Sequence, residues 1–306
     1  MAAFATLAEL TEAIPDENAA IAHFTAILWK NGAFCPYCRG RKVYTFADKR
    51  THKCAATGCG KRFSIKVGTI FEDSKVPLRK WLMAIWLLTS HKKGVASTTL
   101  ARDIGVTQKT AWFMLHRLRE AAATKSFNRP LEGEVEADET FIGGKEKNRH
   151  EHKRTPGSQG GKGKTAVFGM LERGGELRAR KMERLTGKAM KAEIKANVKP
   201  GANVMTDEAK GYRGLQGGYN HHAVNHSAGE YVRHYFIHTN GLEGAWSHFK
   251  RQVIGVHHWI SGKHLDRYLS DFAFRFNRRQ MGEGVRVDAL IADAAGRRLT
   301  YKALIA

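Results

Sequence analysis

No apolar run in this chain approaches the ~20 residues that a membrane span requires. The best candidate, "WLMAIWLL" at 81–88, is far too short and is flanked by Lys80 and His91. The first twenty residues, "MAAFATLAELTEAIPDENAA", carry early Glu residues and no Lys or Arg. A secretory signal needs a basic n-region, so this stretch reads as an amphipathic helix, and a cytoplasmic, nucleoid-associated protein is expected. Cysteine is scarce, with four in 306 residues, which speaks against a disulfide framework. Acidic residues are outnumbered, 29 Asp+Glu against 51 Lys+Arg, for a formal charge of +22. Such an excess favours a polyanion as partner. The basic residues run along the whole chain rather than along one amphipathic segment, so nucleic acid is favoured over a lipid surface.

The few cysteines are arranged in pairs. Cys35 and Cys38 form "CPYC", Cys54 and Cys59 form "CAATGC", and fifteen residues separate the pairs. Two thiolate pairs on tight knuckles across a short hairpin suit one tetrahedral zinc ion. A redox C-x-x-C would not need the second pair. All four positions are filled, so the zinc is expected to be structural. His52 is surplus to the ligand count. Lys61, Arg62 and Lys66, just after the second knuckle, are expected to face a nucleic-acid backbone.

After the ribbon, "PLRKWLMAIWLLTSHKKG" reads as a helix opened by Pro77 and closed at Gly94. In "STTLARDIGVTQKTAWFMLHRLREAA", Ser97 or Thr98 can cap a short helix through Ile104. Gly105 supplies a turn, and Thr107 caps a second helix to about Ala122. Ala101, Ile104, Val106, Ala111, Met114, Leu115 and Leu118 fall at spacings that bury two crossed helices. This is a helix-turn-helix pattern, with Thr107, Gln108, Lys109, Thr110 and Phe113 as candidates to face a DNA major groove. A helical hairpin used only for packing is the alternative.

The scarce acids, in contrast, are concentrated. "EGEVEADETFIGG" (132–144) places Glu132, Glu134, Glu136, Asp138 and Glu139 within eight residues of a strand-like run. Stacked carboxylates repel unless a cation sits among them. Beyond it, "TAVFGMLER" and "ELRARKM" read as strands and "TGKAMKAEIKANV" as a helix. "ANVMTDEAKGY" reads as a short strand ending on Asp207, and "HTNGLEGAWSHFKRQV" and "GKHLDRYLSDFAFRFNRR" as helices. That order fits an α/β mixed sheet of the ribonuclease-H type. Asp138 and Asp207 then meet at neighbouring strand ends. Glu243 lies on a covering helix whose Asn240, Glu243, Ser247 and Lys250 form a polar stripe, with Leu242, Trp246 and Phe249 on the buried side. Converging carboxylates suit a pair of divalent cations ~4 Å apart, Mg2+ or Mn2+, for in-line displacement at phosphorus. Glu136 and Glu139 are not expected to be ligands, because Glu136 is one step deeper and Glu139 faces the opposite side. The histidines of "NHHAVNH" and "GVHHWISGKH" are expected to pack or contact phosphate. Trp246 and Trp259 could stack on a flipped base, with core packing the favoured role. The basic, Gly-rich loop "GGKEKNRHEHKRTPGSQGGKGKTA" could clamp DNA through Lys145, Lys147 and Arg149, and Arg251 is a further DNA-contacting candidate.

The blocks "CPYC…CAATGCGKRFS…GTIFEDSKVPLRKW", "EVEADETFIGGKEKNRH", "MTDEAKGY" and "HTNGLEGAWSHFKRQV…" together resemble the zinc-ribbon-bearing, ISXO-type insertion-sequence transposases of bacteria, over about residues 20 to 280. The resemblance implies a ribonuclease-H-like Asp–Asp–Glu core that cuts transposon ends and joins 3′ ends to target DNA. It implies Asp138 and Asp207 as the two aspartates, Glu243 as the third acid and Lys250 as a companion lysine; some members of the wider family carry Asn in the third place, so Asn240, one turn from Glu243, either assists Glu243 as an outer partner or replaces it. It also implies double-stranded DNA as partner and a homodimer or higher oligomer on synapsed ends. A regulator with an inactive core and a nuclease on the same fold are the competing readings. The expected domains are a helical segment (1–30), a zinc ribbon (31–72), a helix-turn-helix (73–126), the catalytic core (130–280) and a C-terminal tail (281–306).

Overall fold

The computed structural model describes residues 4–123, 129–144, 150–153, 163–224, 232–233 and 236–306. Two compact units emerge, one from residues 1–124 and 278–306, the other from residues 125–277. Among the described residues no helix is long and apolar enough to cross a membrane.

The first unit opens with α1 (Leu7–Ala13) and α2 (Glu17–Leu28), so the single amphipathic helix expected at the N-terminus is two. Pro15 separates them, and Asp16 caps the second by accepting from the Ala19 amide at 2.8 Å. Three short antiparallel strands follow: β1 (Val43–Thr45), β2 (His52–Cys54) and β3 (Arg62–Phe63). Then come α3 (Leu78–Ser90), α4 (Ser97–Ile104) and α5 (Gln108–Ala122). Gly105, at φ 62°, makes the left-handed turn between the last two, a backbone state that costs glycine little. Thr107 caps α5 as its sequence position suggests. At α4 the cap position is Ala96, and neither Ser97 nor Thr98 fills it.

The second unit is built on one five-stranded sheet. Its strands are β4 (Glu134–Ile142), β5 (Thr165–Glu172), β6 (Leu177–Met182), β7 (Asn203–Asp207) and β8 (Asn220–Val224). The order is β6-β5-β4-β7-β8, with β6, β5 and β4 antiparallel and β4, β7 and β8 parallel. Helix α6 (Gly187–Asn197) crosses one face, where Met190 and Ile194 pack on Val135, Ala137, Phe168 and Met170. Helices α7 (Asn240–Gln252) and α8 (Leu265–Asn277) cover the other, setting Leu242, Trp246, Phe249, Leu269 and Phe272 against Ile142, Val167 and Leu171. Burying each such side chain is worth about 1.5–3 kcal/mol. This is the ribonuclease-H-like architecture, and β4 lies at its centre with both faces covered. Strand β8 is absent from the sequence reading. It holds His221 and His222 of the histidine-rich stretch, and His221 Nε2 bonds the Thr206 hydroxyl at 2.9 Å.

The expected tail, 281–306, is instead two helices of the first unit. In α9 (Glu283–Ala292) the buried Val287, Leu290 and Ile291 repeat at i, i+3 and i+4. Helix α10 (Tyr301–Ile305) buries Leu304. Asp288 on α9 meets His23 on α2 at 2.9 Å, and α9 packs on α2, α3 and α5.

Candidate active site

The central strand sorts its acids by residue parity. Side chains alternate along a strand, so Glu134, Glu136 and Asp138 face α7 while Glu139 faces α6. Strands β4 and β7 pair in parallel, with Glu134, Val135 and Glu136 opposite Asn203, Val204 and Met205. Extending that register by two residues sets Asp138 beside Asp207, the last residue of β7.

Each carboxylate has a distinct set of neighbours. Glu132, at the surface, meets Lys199 at 3.1 Å. Arg173, just past β5, bonds Glu134 at 3.0 Å and the fully buried Glu136 at 2.9 Å. The same guanidinium reaches the Phe236 and His238 carbonyls and His238 Nδ1. His238 Nδ1 lies 2.9 Å from the Arg173 guanidinium and 3.3 Å from Glu136. Glu136 also accepts the Leu242 amide in the first turn of α7 at 2.8 Å, which suits an anion at a helix N-terminus. Gly241 makes room for this, since a Cβ there would lie 3.0 Å from Glu136 Oε2. Glu139 accepts the Tyr212 hydroxyl on the α6 face. Glu136 is thus engaged by Arg173 and the start of α7, whereas Glu139 has one neutral donor and lies close enough to Asp138 and Asp207 to share their charge.

Asp138 is different. Burial raises its carboxyl to about 7, with the negative charges of Glu139, Asp207 and Glu243 adding to the shift. Among the described residues no Lys, Arg or His pairs with it. The Trp246 indole donates to it, Nε1 to Oδ2 at 3.0 Å. Glycine 169, opposite Asp138 on β5, permits that contact: a Cβ there would lie 2.4 Å from Trp246 Cζ2. Asp207 caps its own turn, accepting the Ala209 amide at 3.0 Å. Glu243, in the first turn of α7, accepts from the Thr239 hydroxyl at 3.0 Å. Asn240 begins the same helix and is exposed, as is Lys250 two turns beyond Glu243. Asp207 and Glu243 thus add negative charge at Asp138, while among the described residues the group whose ligand atoms are all within metal-binding spacing is the four cysteines of the first unit.

In the first unit the Sγ atoms of Cys35, Cys38, Cys54 and Cys59 all lie within 4.8 Å of one another. The Cys35–Cys59 and Cys38–Cys54 separations are 3.8 and 3.5 Å. Zinc–sulfur bonds of ~2.3 Å in a tetrahedron require edges of about 3.8 Å, whereas a disulfide is about 2.05 Å. The four thiols therefore fit zinc. Arg39, at φ 63°, and Gly40 turn the first knuckle; a Cβ on Gly40 would sit 3.3 Å from Cys38 Sγ. His52 lies outside the set, packed on Trp29 and Phe63.

The ISXO2-like transposase domain matches residues 130–277, and the transposase zinc-ribbon domain matches residues 15–62. A protein of the transposable element ISH50 in Halobacterium salinarum is 30% identical over 262 residues, covering 81% of this chain and 87% of that protein. The chain belongs to the ISXO2-like transposase family. It is a DDE-type DNA transposase with a zinc ribbon, and the family implies a divalent metal in the core. Among solved structures it is similar to the Mos1 strand transfer complex, at 13% identity and TM-score 0.25 over 73% of this chain and 81% of that one. The pre-cleavage Mos1 transpososome matches at 12% and 0.25 over 75% and 82%. These likenesses are too loose to carry over any residue.

The transposase's DNA-contacting candidates are placed unevenly. Gln108 donates to Ser97 Oγ at 2.9 Å, and Lys109 lies over the Tyr301 ring at 5.0 Å, so both have partners within the chain. The Thr107 and Thr110 hydroxyls bond each other at 2.9 Å. Phe113 is half-buried between Tyr301 and Arg117. Lys61 and Arg62 are exposed, each over a ring, Tyr37 and Phe46 respectively. Lys66 departs from expectation: its ammonium bonds the Ser74 and Val76 carbonyls, tying the ribbon to the start of α3. Arg251 is exposed and bonds Ser247. Lys145, Lys147 and Arg149 lie outside the described residues. Trp246 is buried and Trp259 is 65% exposed, so core packing holds for the first and not the second. Arg173, Gly169 and Tyr212 were missed by sequence reasoning. Of these only Gly169, a glycine inside a strand, carried a signal, that of a close approach.

Proposed function

We propose that this transposase binds the terminal inverted repeats of its element and carries out metal-dependent strand cleavage and strand transfer at Asp138, Asp207 and Glu243. The observation that supports this most is Asp138: a half-buried carboxyl raised to about 7 by desolvation and by three neighbouring acids, with no cationic side chain against it among the described residues. Such a group calls for a cation from outside the protein. Asp138, Asp207 and Glu243 would hold magnesium or manganese, two ions per site, which when bound lower the pKa of an attacking water or 3′-hydroxyl and offset charge on the leaving oxygen. Asp138 and Asp207 contribute from adjacent strands and Glu243 from the start of α7, so the sheet and the helix together fix the site. Lys250 extends the same helix face toward solvent, where it can meet a phosphate. Cys35, Cys38, Cys54 and Cys59 hold one structural zinc. The ribbon and the α4–α5 pair, with Thr107, Gln108, Lys109, Thr110, Lys61 and Arg62, read the ends. Lys145, Lys147, Arg149 and Arg251 hold the backbone. Two ends must be joined, so a homodimer or higher oligomer on DNA is expected, acting in the cytoplasm on the chromosome.

The test is strand transfer of pre-cut ends at matched DNA occupancy. Asp138→Asn, Asp207→Asn and Glu243→Gln should each lower joining by at least a hundred-fold and leave end binding intact. Retained joining by Asp138→Asn refutes the pocket. Normal joining by Glu243→Gln, with loss on Asn240→Ala, reassigns the third ligand.

A further inference from the structure

We infer that Trp246 is a positioning residue for the metal site, its indole N–H holding one oxygen of Asp138 so that the other faces the cation. The inference rests on the site proposed above. Nε1 lies 3.0 Å from Oδ2, and the indole is 3% exposed, so the N–H is buried where an unmade bond would be costly. The pairing is built from three elements. Trp246 comes from α7, one turn past Glu243; Asp138 comes from β4; and Gly169, directly across from Asp138 on β5, leaves the space the ring fills. Any side chain at 169 would meet the ring, since even a Cβ would lie 2.4 and 2.6 Å from Cζ2 and Cη2. Packing alone does not explain an indole here, because a phenylalanine would fill the same apolar cluster without a buried donor to satisfy.

The choice of donor is informative. A Lys or Arg at this place would neutralise Asp138 and compete with a divalent cation for it. A neutral N–H fixes the carboxylate rotamer and leaves its charge for the metal. A carboxylate oxygen engaged by one donor keeps its sister oxygen oriented, and orienting partners of this kind typically matter 10–100-fold for metal affinity.

The experiment replaces Trp246 in the full chain by β-(3-benzothienyl)alanine, which keeps the fused-ring shape and lacks the N–H; Trp246→Phe is the genetic counterpart. Free Mn2+ is measured by EPR during titration of the protein–DNA complex, with thermal unfolding as the fold control. Both variants should bind Mn2+ at the core about ten-fold more weakly, with DNA affinity unchanged and the benzothienyl protein melting with the wild type. Unchanged Mn2+ affinity in the benzothienyl protein overturns the inference, even if Trp246→Phe fails to fold. Asp138→Ala separates this outcome from failure of the site itself. If Asp138→Ala loses Mn2+ while the benzothienyl protein does not, only the role of Trp246 falls. If Asp138→Ala binds Mn2+ as the wild type does, the site and the inference fall together.

Discussion

Replacing Arg173 by Met gives a direct measure of how the acidic strand is stabilised. The guanidinium is 20% exposed and the Glu136 side chain 1% exposed, so the substitution leaves a buried carboxylate without its cation. Breaking a buried pair in this way costs about 3–5 kcal/mol. Partial exposure of the guanidinium places the expected loss near the lower end, about 3 kcal/mol. For a unit spanning residues 125–277, that corresponds to a fall in Tm of roughly 6–12 °C, at about 2–4 °C per kcal/mol. Adding Glu136→Gln removes the stranded charge while keeping an oxygen for the Leu242 amide. The double variant should thus recover about half of the loss at pH 8. Urea unfolding followed by amide exchange in β4 and β5 reads the effect in the correct unit. A loss under 1 kcal/mol at pH 8, or a double variant no better than Arg173→Met, refutes the reasoning.

Two further predictions concern the metals. Purified protein should contain about one zinc per chain, and Cys35→Ser should lose it together with the folded ribbon; metal-free protein with four reactive thiols and an unchanged fold would contradict the assignment. For the core, Asp138 is an acid raised from its ordinary value to about 7, so the metal-free unit loses stability as pH rises from about 4 to about 7, by at most about 1.4 kcal/mol per pH unit. Mn2+ competes with that proton, so its affinity should climb with pH up to about 7 and then level off; a flat profile in calorimetric titrations, or one unchanged in Asp138→Asn, counts against the Asp138 reading.

Much of the second unit could be read from local patterns. Strands β4 to β7 and helices α6 to α8 each announce themselves by period, length and flanking turns, and the Asp138–Asp207 neighbourhood follows from strand order. Strand β8 did not, because "NHHAV" offers no apolar alternation: it is an edge strand whose two histidines lie partly in solvent. The role of Glu136 was half legible. Its exclusion as a ligand was expected from its depth, but its use as an anchor for α7 depends on Arg173, thirty-seven residues away, and on the backbone of residues 236–242. Glu136→Gln therefore threatens the fold, although no direct part in chemistry is expected of it. The helices of 281–306 had a legible apolar spacing in Val287, Leu290 and Ile291. Their attachment to the first unit is a long-range fact that spacing cannot carry. Ser97 shows the same limit on a smaller scale, since its hydroxyl accepts from Gln108, not from a backbone amide of its own helix.

The crowding of acids on one strand of a basic protein is explained by comparing their partners. A central strand covered on both faces cannot leave carboxylates in water, so each needs a cation, a hydrogen bond or a proton. Glu134 and Glu136 share Arg173, and that shared cation also grips the carbonyls that lead into α7. Glu139 has the Tyr212 hydroxyl, whose own ionisation is suppressed by burial and by Glu139 itself. Among the described residues the side-chain donor to Asp138 is the neutral Trp246 indole, and its neighbours Glu139, Asp207 and Glu243 add negative charge. Arg173 thus serves the two acids at one end of the strand, while Asp138 and Glu139 receive neutral hydrogen-bond donors. On the proposed reading, a divalent cation entering the pocket would take the place of the proton on Asp138 and offset the charge that Asp207 and Glu243 add, a role that a retired scaffold would not need.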